Sequence, residues 1–110
     1  MTNPNALDTL DVHLPAELVK LETMEQYEEE TQRLQHAVFH YFNKFQRDGV
    51  TVYSMRQNGA SVLTLSVQPD GYTDHIVGKH NRQPLEEEII VLNQLLTDAG
   101  IENRYTGPKY

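Results

Sequence analysis

At 110 residues the chain is the size of one domain built on one core. It contains no cysteine, which excludes disulfides, cysteine-ligated zinc and a thiol nucleophile. Sixteen Asp and Glu against nine Lys and Arg give a net charge of -7, which opposes general affinity for nucleic acid or anionic membrane and suits a basic partner. The start Met1-Thr2-Asn3-Pro4-Asn5 has neither the charged nor the apolar region of a signal peptide, and no apolar run approaches the roughly 20 residues of a membrane span. The expectation is a cytoplasmic protein with no membrane association.

In chain order, residues 1–9 are polar and expected to be loose. Leu10 to Leu14 alternates as a short strand does, and Pro15 stands where it would open a helical turn over Ala16 to Leu21. The dominant element predicted is one long helix from about Met24 to Arg47. Tyr27, Leu34, Val38, Tyr41, Phe42 and Phe45 recur at helical spacing along one stripe. Thr23 with Gln26 reads as a capping box at its start, and Gly49 can take the left-handed conformation past its end.

Val50 to Arg56 is β-branched and aromatic, and Asn58-Gly59 is a hairpin signal leading into Ala60 to Gln68. Leu63, Leu65 and Val67 are the expected core positions of that arm. Pro69-Asp70-Gly71 is a second turn, and Tyr72 to Val77 returns as a third strand. Gly78 to Gln83 breaks the pattern before Pro84 opens a last helix, with Glu86, Glu87 and Glu88 at its positive end and Leu85, Ile89, Leu92, Leu96 and Ala99 on its apolar face. Gly100 ends it, and residues 102–110 read as a second loose tail unless Ile101 or Tyr105 docks. The fold class predicted is α+β: a long amphipathic helix packed against a three-stranded antiparallel β-meander, plus a C-terminal helix.

The block from Leu34 through His36, Ala37 and Val38 to Tyr41, then Asp48-Gly49, Val52 to Arg56, Leu63-Thr64-Leu65 and Gly78 to Pro84, resembles the PcfJ-like proteins over about residues 10–100. That resemblance implies a genetic context, since such proteins are encoded on conjugative plasmids, phages and other mobile elements, and it implies no particular reaction. By position His36, Tyr41, Arg56, Gly78 and Asn81 match the family pattern. Ala37 stands where the pattern has Cys, and His75 where it has Gln, so any thiol chemistry of the family is absent here.

Four sites are expected to matter. His36 and His40 have the spacing of two helical metal ligands, but no Glu of a zincin motif lies between them, so no metal site is assigned. The loop holding Lys79, His80, Asn81 and Arg82 could hold an anion, or Asn81 could simply cap the last helix. Arg56 could orient an acidic ligand or pair with an internal carboxylate. Glu25, Glu28, Glu29 and Glu30 form an acidic run that could face a basic partner. No Ser-His-Asp or paired-carboxylate spacing points to catalysis, and no cofactor is implied.

The favoured reading is a small acidic, non-enzymatic interaction or regulatory protein of a phage or other mobile element, binding a protein partner such as a host factor that it inhibits. The alternative is a nucleic-acid accessory module that uses the Gly78 to Arg82 loop together with Lys44 and Arg47. A hydrolase or transferase using His36 with Tyr41 or Asn81 ranks last.

Overall fold

The computed structural model describes residues 6–107; the rest of the two tails expected to be loose, 1–5 and 108–110, lies outside it. The first helix, α1 (Met24–Leu34), starts as predicted. Thr23 Oγ1 accepts from the Gln26 N–H at 3.1 Å, and the Gln26 side chain accepts from the Thr23 N–H at 3.0 Å. It does not run on to Arg47. Gln35 turns left-handed (φ 55°, ψ 49°) and its N–H returns to the Thr31 carbonyl at 2.7 Å. The Thr31 hydroxyl then accepts from the Phe39 N–H at 2.8 Å. A 3₁₀ turn, Val38–Tyr41, leads into α2 (Phe42–Asp48), which closes on Gly49.

The single long helix predicted is thus three short pieces. From His36 to Phe42 the chain is almost entirely His, Val, Phe and Tyr, all weak helix formers whose side-chain freedom a helix restricts. Burying His36 and half-burying Val38, Phe39 and Phe42 offsets the few helical hydrogen bonds that the break gives up.

The sheet also departs from the three-stranded antiparallel meander predicted. It has five strands in the order β1-β2-β3-β4-β5: β1 (Glu17–Leu21), β2 (Thr51–Gln57), β3 (Ala60–Val67), β4 (Tyr72–Val77) and β5 (Glu102–Asn103). The first four are antiparallel and β5 joins β4 in parallel, so the sheet is mixed.

β1 replaces the helical turn expected after Pro15. One isolated turn cannot repay its own nucleation, whereas pairing with β2 sets Leu18 opposite Met55 and Leu21 opposite Val52, on opposite faces. The strand expected over Leu10 to Leu14 is a turn, held by the buried Gln57 amide, which donates to the Asp11 and Leu14 carbonyls at 2.7 and 2.9 Å. Neither tail is loose where it is described. The Leu7 N–H donates to the Ser61 carbonyl at 2.9 Å, Ala6 and Leu10 are buried, and Ile101 and Tyr105 pack on the core.

The two hairpin turns are as predicted. Asn58 and Gly59 both adopt positive φ (49° and 80°), which matches the twist of the β2–β3 hairpin. Helices cover both sheet faces. On one, Met55, Leu63, Leu65 and Ile76 pack with Leu92 and Leu96 of α3 (Glu86–Ala99). On the other, Val52 and Leu21 pack with Tyr27, flanked by Val38, Phe39, Phe42 and Phe45. The expected core residues Leu63, Leu65 and Val67 are therefore buried, but in the cluster that α3 completes rather than beneath the first helix.

Candidate functional site

Glu30 belongs by sequence to the acidic run, yet it faces inward and is completely buried. Ser61 Oγ donates to its Oε1 at 2.8 Å, Thr64 Oγ1 donates to its Oε2 at 2.6 Å, and Arg56 Nη2 lies 3.6 Å from Oε1. In a regular strand Ser61 and Thr64 would point to opposite faces. The β2–β3 register steps from Met55 opposite Leu63 to Arg56 opposite Ser61, which leaves Val62 as the extra residue of a bulge. That bulge aims both hydroxyls at one carboxylate.

His36 extends the chain of bonds. Its Nε2 lies 2.8 Å from Thr64 Oγ1, and the hydrogen of that hydroxyl is already committed to Glu30. The network therefore assigns the hydrogen between them to Nε2, so Nδ1 is the acceptor of the Val38 N–H at 3.4 Å. Burial lowers the His36 pKa below the ordinary histidine value; the charge of Glu30 opposes the shift and His75 adds to it. His36 is thus held as a neutral imidazole with both nitrogens engaged.

Beside it lies a cavity of about 400 Å³ between the sheet and the segment that follows α1. Thr64, Leu65, Ser66 and Val52 form its floor, Val38 and Phe45 contribute apolar wall, and Ala37, Tyr41, His75, Val77 and Asn81 complete the lining. The Tyr41 ring stacks on Phe45 with centroids 5.5 Å apart and is 47% exposed.

Three of the residues singled out in the sequence, His36, Tyr41 and Asn81, converge on this cavity. Arg56 does not line it and instead backs the Glu30 network, with Nε donating to Ser54 Oγ at 3.1 Å. His40 is exposed on the 3₁₀ turn, and the break after Leu34 removes the helical spacing that would have paired it with His36. Among the described residues no three His, Asp or Glu side chains are placed to hold a metal ion.

The loop before α3 is built for a different purpose. Arg82 grips the buried Glu88 through two bonds of 2.7 and 2.8 Å, and its Nε donates to the Asp8 carbonyl at 2.8 Å. Glu88 also accepts from the Leu10 and Leu85 N–H groups, each at 2.8 Å. Lys79 pairs with Asp8 at 3.2 Å. A Cβ on Gly78 would sit 2.8 Å from the Arg82 guanidinium carbon, so a larger residue there would push that guanidinium from its place on Glu88. Asn81 does not cap α3, whose N-cap is Leu85; it is left-handed (φ 62°), as is His80 (φ 56°), which is exposed. Glu25, Glu28 and Glu29 are exposed, Glu29 pairing with Arg33 at 2.9 Å, while Glu30 is withdrawn from that surface.

Sequence reasoning passed over Ser66, and it met Thr64 and His75 only as positions of the family pattern, without placing either at a site. Fold and cavity together define an α+β fold with a polar-floored recess beside a chain of hydrogen bonds from His36 through Thr64 to Glu30. The chain belongs to the PcfJ-like protein family, whose model matches residues 12–92. No curated protein and no solved structure matches it. Among the described residues no helix is long and apolar enough to cross a membrane.

Proposed function

We propose that the domain is a non-enzymatic binding module for another protein, and that the His36 cavity receives one anchoring side chain of that partner. The observation that carries this reading is a recess of about 400 Å³ with apolar walls and a few fixed polar groups, the composition of a recognition pocket. Its one buried imidazole has both nitrogens engaged, which suits positioning a ligand better than moving a proton. Exposed Glu25, Glu28 and Glu29 and a net charge of -7 favour a basic partner. A regulatory or inhibitory role would suit the mobile-element context that the family resemblance implies. A nucleic-acid role is less well supported, because Lys79 and Arg82 are spent on internal pairs.

The test is affinity capture from host-cell lysate with the whole chain and with Ala37→Trp, which fills the cavity. The wild type is expected to retain a specific protein that the variant loses by at least about tenfold, both chains giving the same far-ultraviolet circular dichroism. Capture of the same proteins by both chains, or of none, contradicts the reading.

A further inference from the structure

The floor of the His36 cavity holds a polar group that the fold itself does not use. Val52, Ser66 and His75 stand in register across three neighbouring strands, and Thr64 stands opposite Val77, so one face of the sheet presents all five to the cavity. The Thr64 hydroxyl is engaged by Glu30 and His36, and both His36 nitrogens are engaged as well. The Ser66 hydroxyl is not. Ser66 is only 7% exposed, and among the described residues its side chain has no hydrogen-bond partner. A hydroxyl buried in this way costs free energy until a partner is supplied. Asn81 lines the same cavity from its exposed side, and among the described residues its carboxamide is unpaired too.

Three features of the lining restrict what can enter. No Asp, Glu, Lys or Arg is part of it, so a buried ammonium, guanidinium or carboxylate would meet no opposite charge. Val38, Phe45 and the Tyr41 ring stacked on Phe45 make the wall apolar and largely aromatic, which suits a flat apolar body. The unpaired hydroxyl and carboxamide can each donate and accept, which suits a tip that does both. A phenol meets all three conditions. A phenyl ring lacks the tip, and an indole only donates.

We propose that the partner's anchoring side chain is a tyrosine, its ring held by Val38 and Phe45 and its hydroxyl bonded to Ser66, with the Asn81 carboxamide as a second polar contact. This rests on the binding function proposed above and names the group that the cavity reads. Ser66 is then the residue that sets specificity, because the other buried polar groups of the floor are already paired.

The probe is p-cresol, the tyrosine side chain without its backbone, titrated into the whole isotope-labelled chain and followed by NMR. Toluene, n-butylammonium and propionate serve as the matching analogues of phenylalanine, lysine and glutamate. p-Cresol is expected to shift the amides of Ser66 and His75 and to bind at least about tenfold more tightly than toluene, which leaves the Ser66 hydroxyl unpaired. The two charged probes are expected to leave those amides unmoved. Ser66→Ala should weaken p-cresol while toluene binds as before, whereas a variant that merely unsettles the cavity weakens both. Asn81→Gly is the second variant; it keeps the left-handed backbone (φ 62°) and should narrow the same preference even if Ser66→Ala does not fold.

Equal binding of p-cresol and toluene in the cavity, or a preference that survives both variants, overturns the tyrosine assignment and leaves the cavity reading standing. Tighter binding of n-butylammonium or propionate overturns it in favour of a charged anchor. Tighter binding of an N-methylated adenine overturns it in favour of a nucleic-acid base. Amides that no probe shifts overturn it as well, while capture with Ala37→Trp separately decides whether the cavity holds a protein.

Discussion

His36 ties the stability of the domain to the state of its proposed site. Burial pushes its pKa below the ordinary histidine value of about 6.5, against the pull of Glu30 and with the help of His75. In the interval between the lowered folded value and about 6.5, the unfolded chain binds a proton that the folded chain refuses. Stability from this group is therefore fully present above about pH 6.5 and is lost as the pH falls through that interval. His36→Gln removes the titration and keeps a side chain that can donate to Thr64. Urea melts at two pH values, one above and one below about 6.5, should show a smaller loss on acidification in the variant than in the wild type. Equal losses would mean that His36 is not the group that titrates. Glu88 is a different kind of buried acid: it binds Arg82 and two backbone N–H groups, so Arg82→Glu would set two carboxylates together in the interior and cannot serve as a simple test of surface charge.

Among the elements, the break after Leu34 has the largest consequence, because it creates the cavity by turning His36 in toward Thr64 and sending the chain off as a 3₁₀ turn. It also yields a clean prediction. In an uninterrupted helix Gln35→Gly would cost about 1 kcal/mol, because glycine loses more backbone freedom there than other residues do. At a left-handed cap with φ 55° glycine relieves strain instead, so Gln35→Gly should leave stability unchanged or raise it by up to about 1 kcal/mol in denaturant melts. A clear loss would restore the continuous helix.

The same segment explains what the sequence made legible. The Thr23 capping box, the Asn58-Gly59 hairpin and the acidic first turn of α3 are local signals, and each stands where its residues place it. β1, β5 and the break are not local. Glu17–Leu21 is a strand because β2 offers an edge, and Glu102–Asn103 because β4 does. The cavity was half visible: His36, Tyr41 and Asn81 stand out in the family motif, but Thr64 joins them only through a bulge at Val62 that no residue type announces.

Across the whole molecule, the decisive quantity is how many basic groups remain to meet a phosphate backbone. Nine Lys and Arg stand against sixteen Asp and Glu, and several of the nine are engaged internally: Arg33 with Glu29, Lys44 with Asp48, Arg56 with Glu30, Lys79 with Asp8, Arg82 with Glu88 and Arg104 with Glu102. Lys44 and Arg47, the other basic residues considered for nucleic acid, share Asp48, at 3.2 and 3.7 Å. A protein that neutralises about six or more phosphates binds strongly at low salt and loses several powers of ten toward physiological salt. Among the described residues there is no comparable basic surface, so the chain should bind neither single- nor double-stranded oligonucleotides even at about 50 mM salt, where counterion release favours binding most. Fluorescence anisotropy with labelled DNA and RNA measures this directly. Micromolar affinity that falls steeply with added salt would displace the protein-partner reading. Salt-insensitive affinity abolished by Ala37→Trp would instead mean that the His36 cavity takes a base, a contact that owes little to phosphate charge.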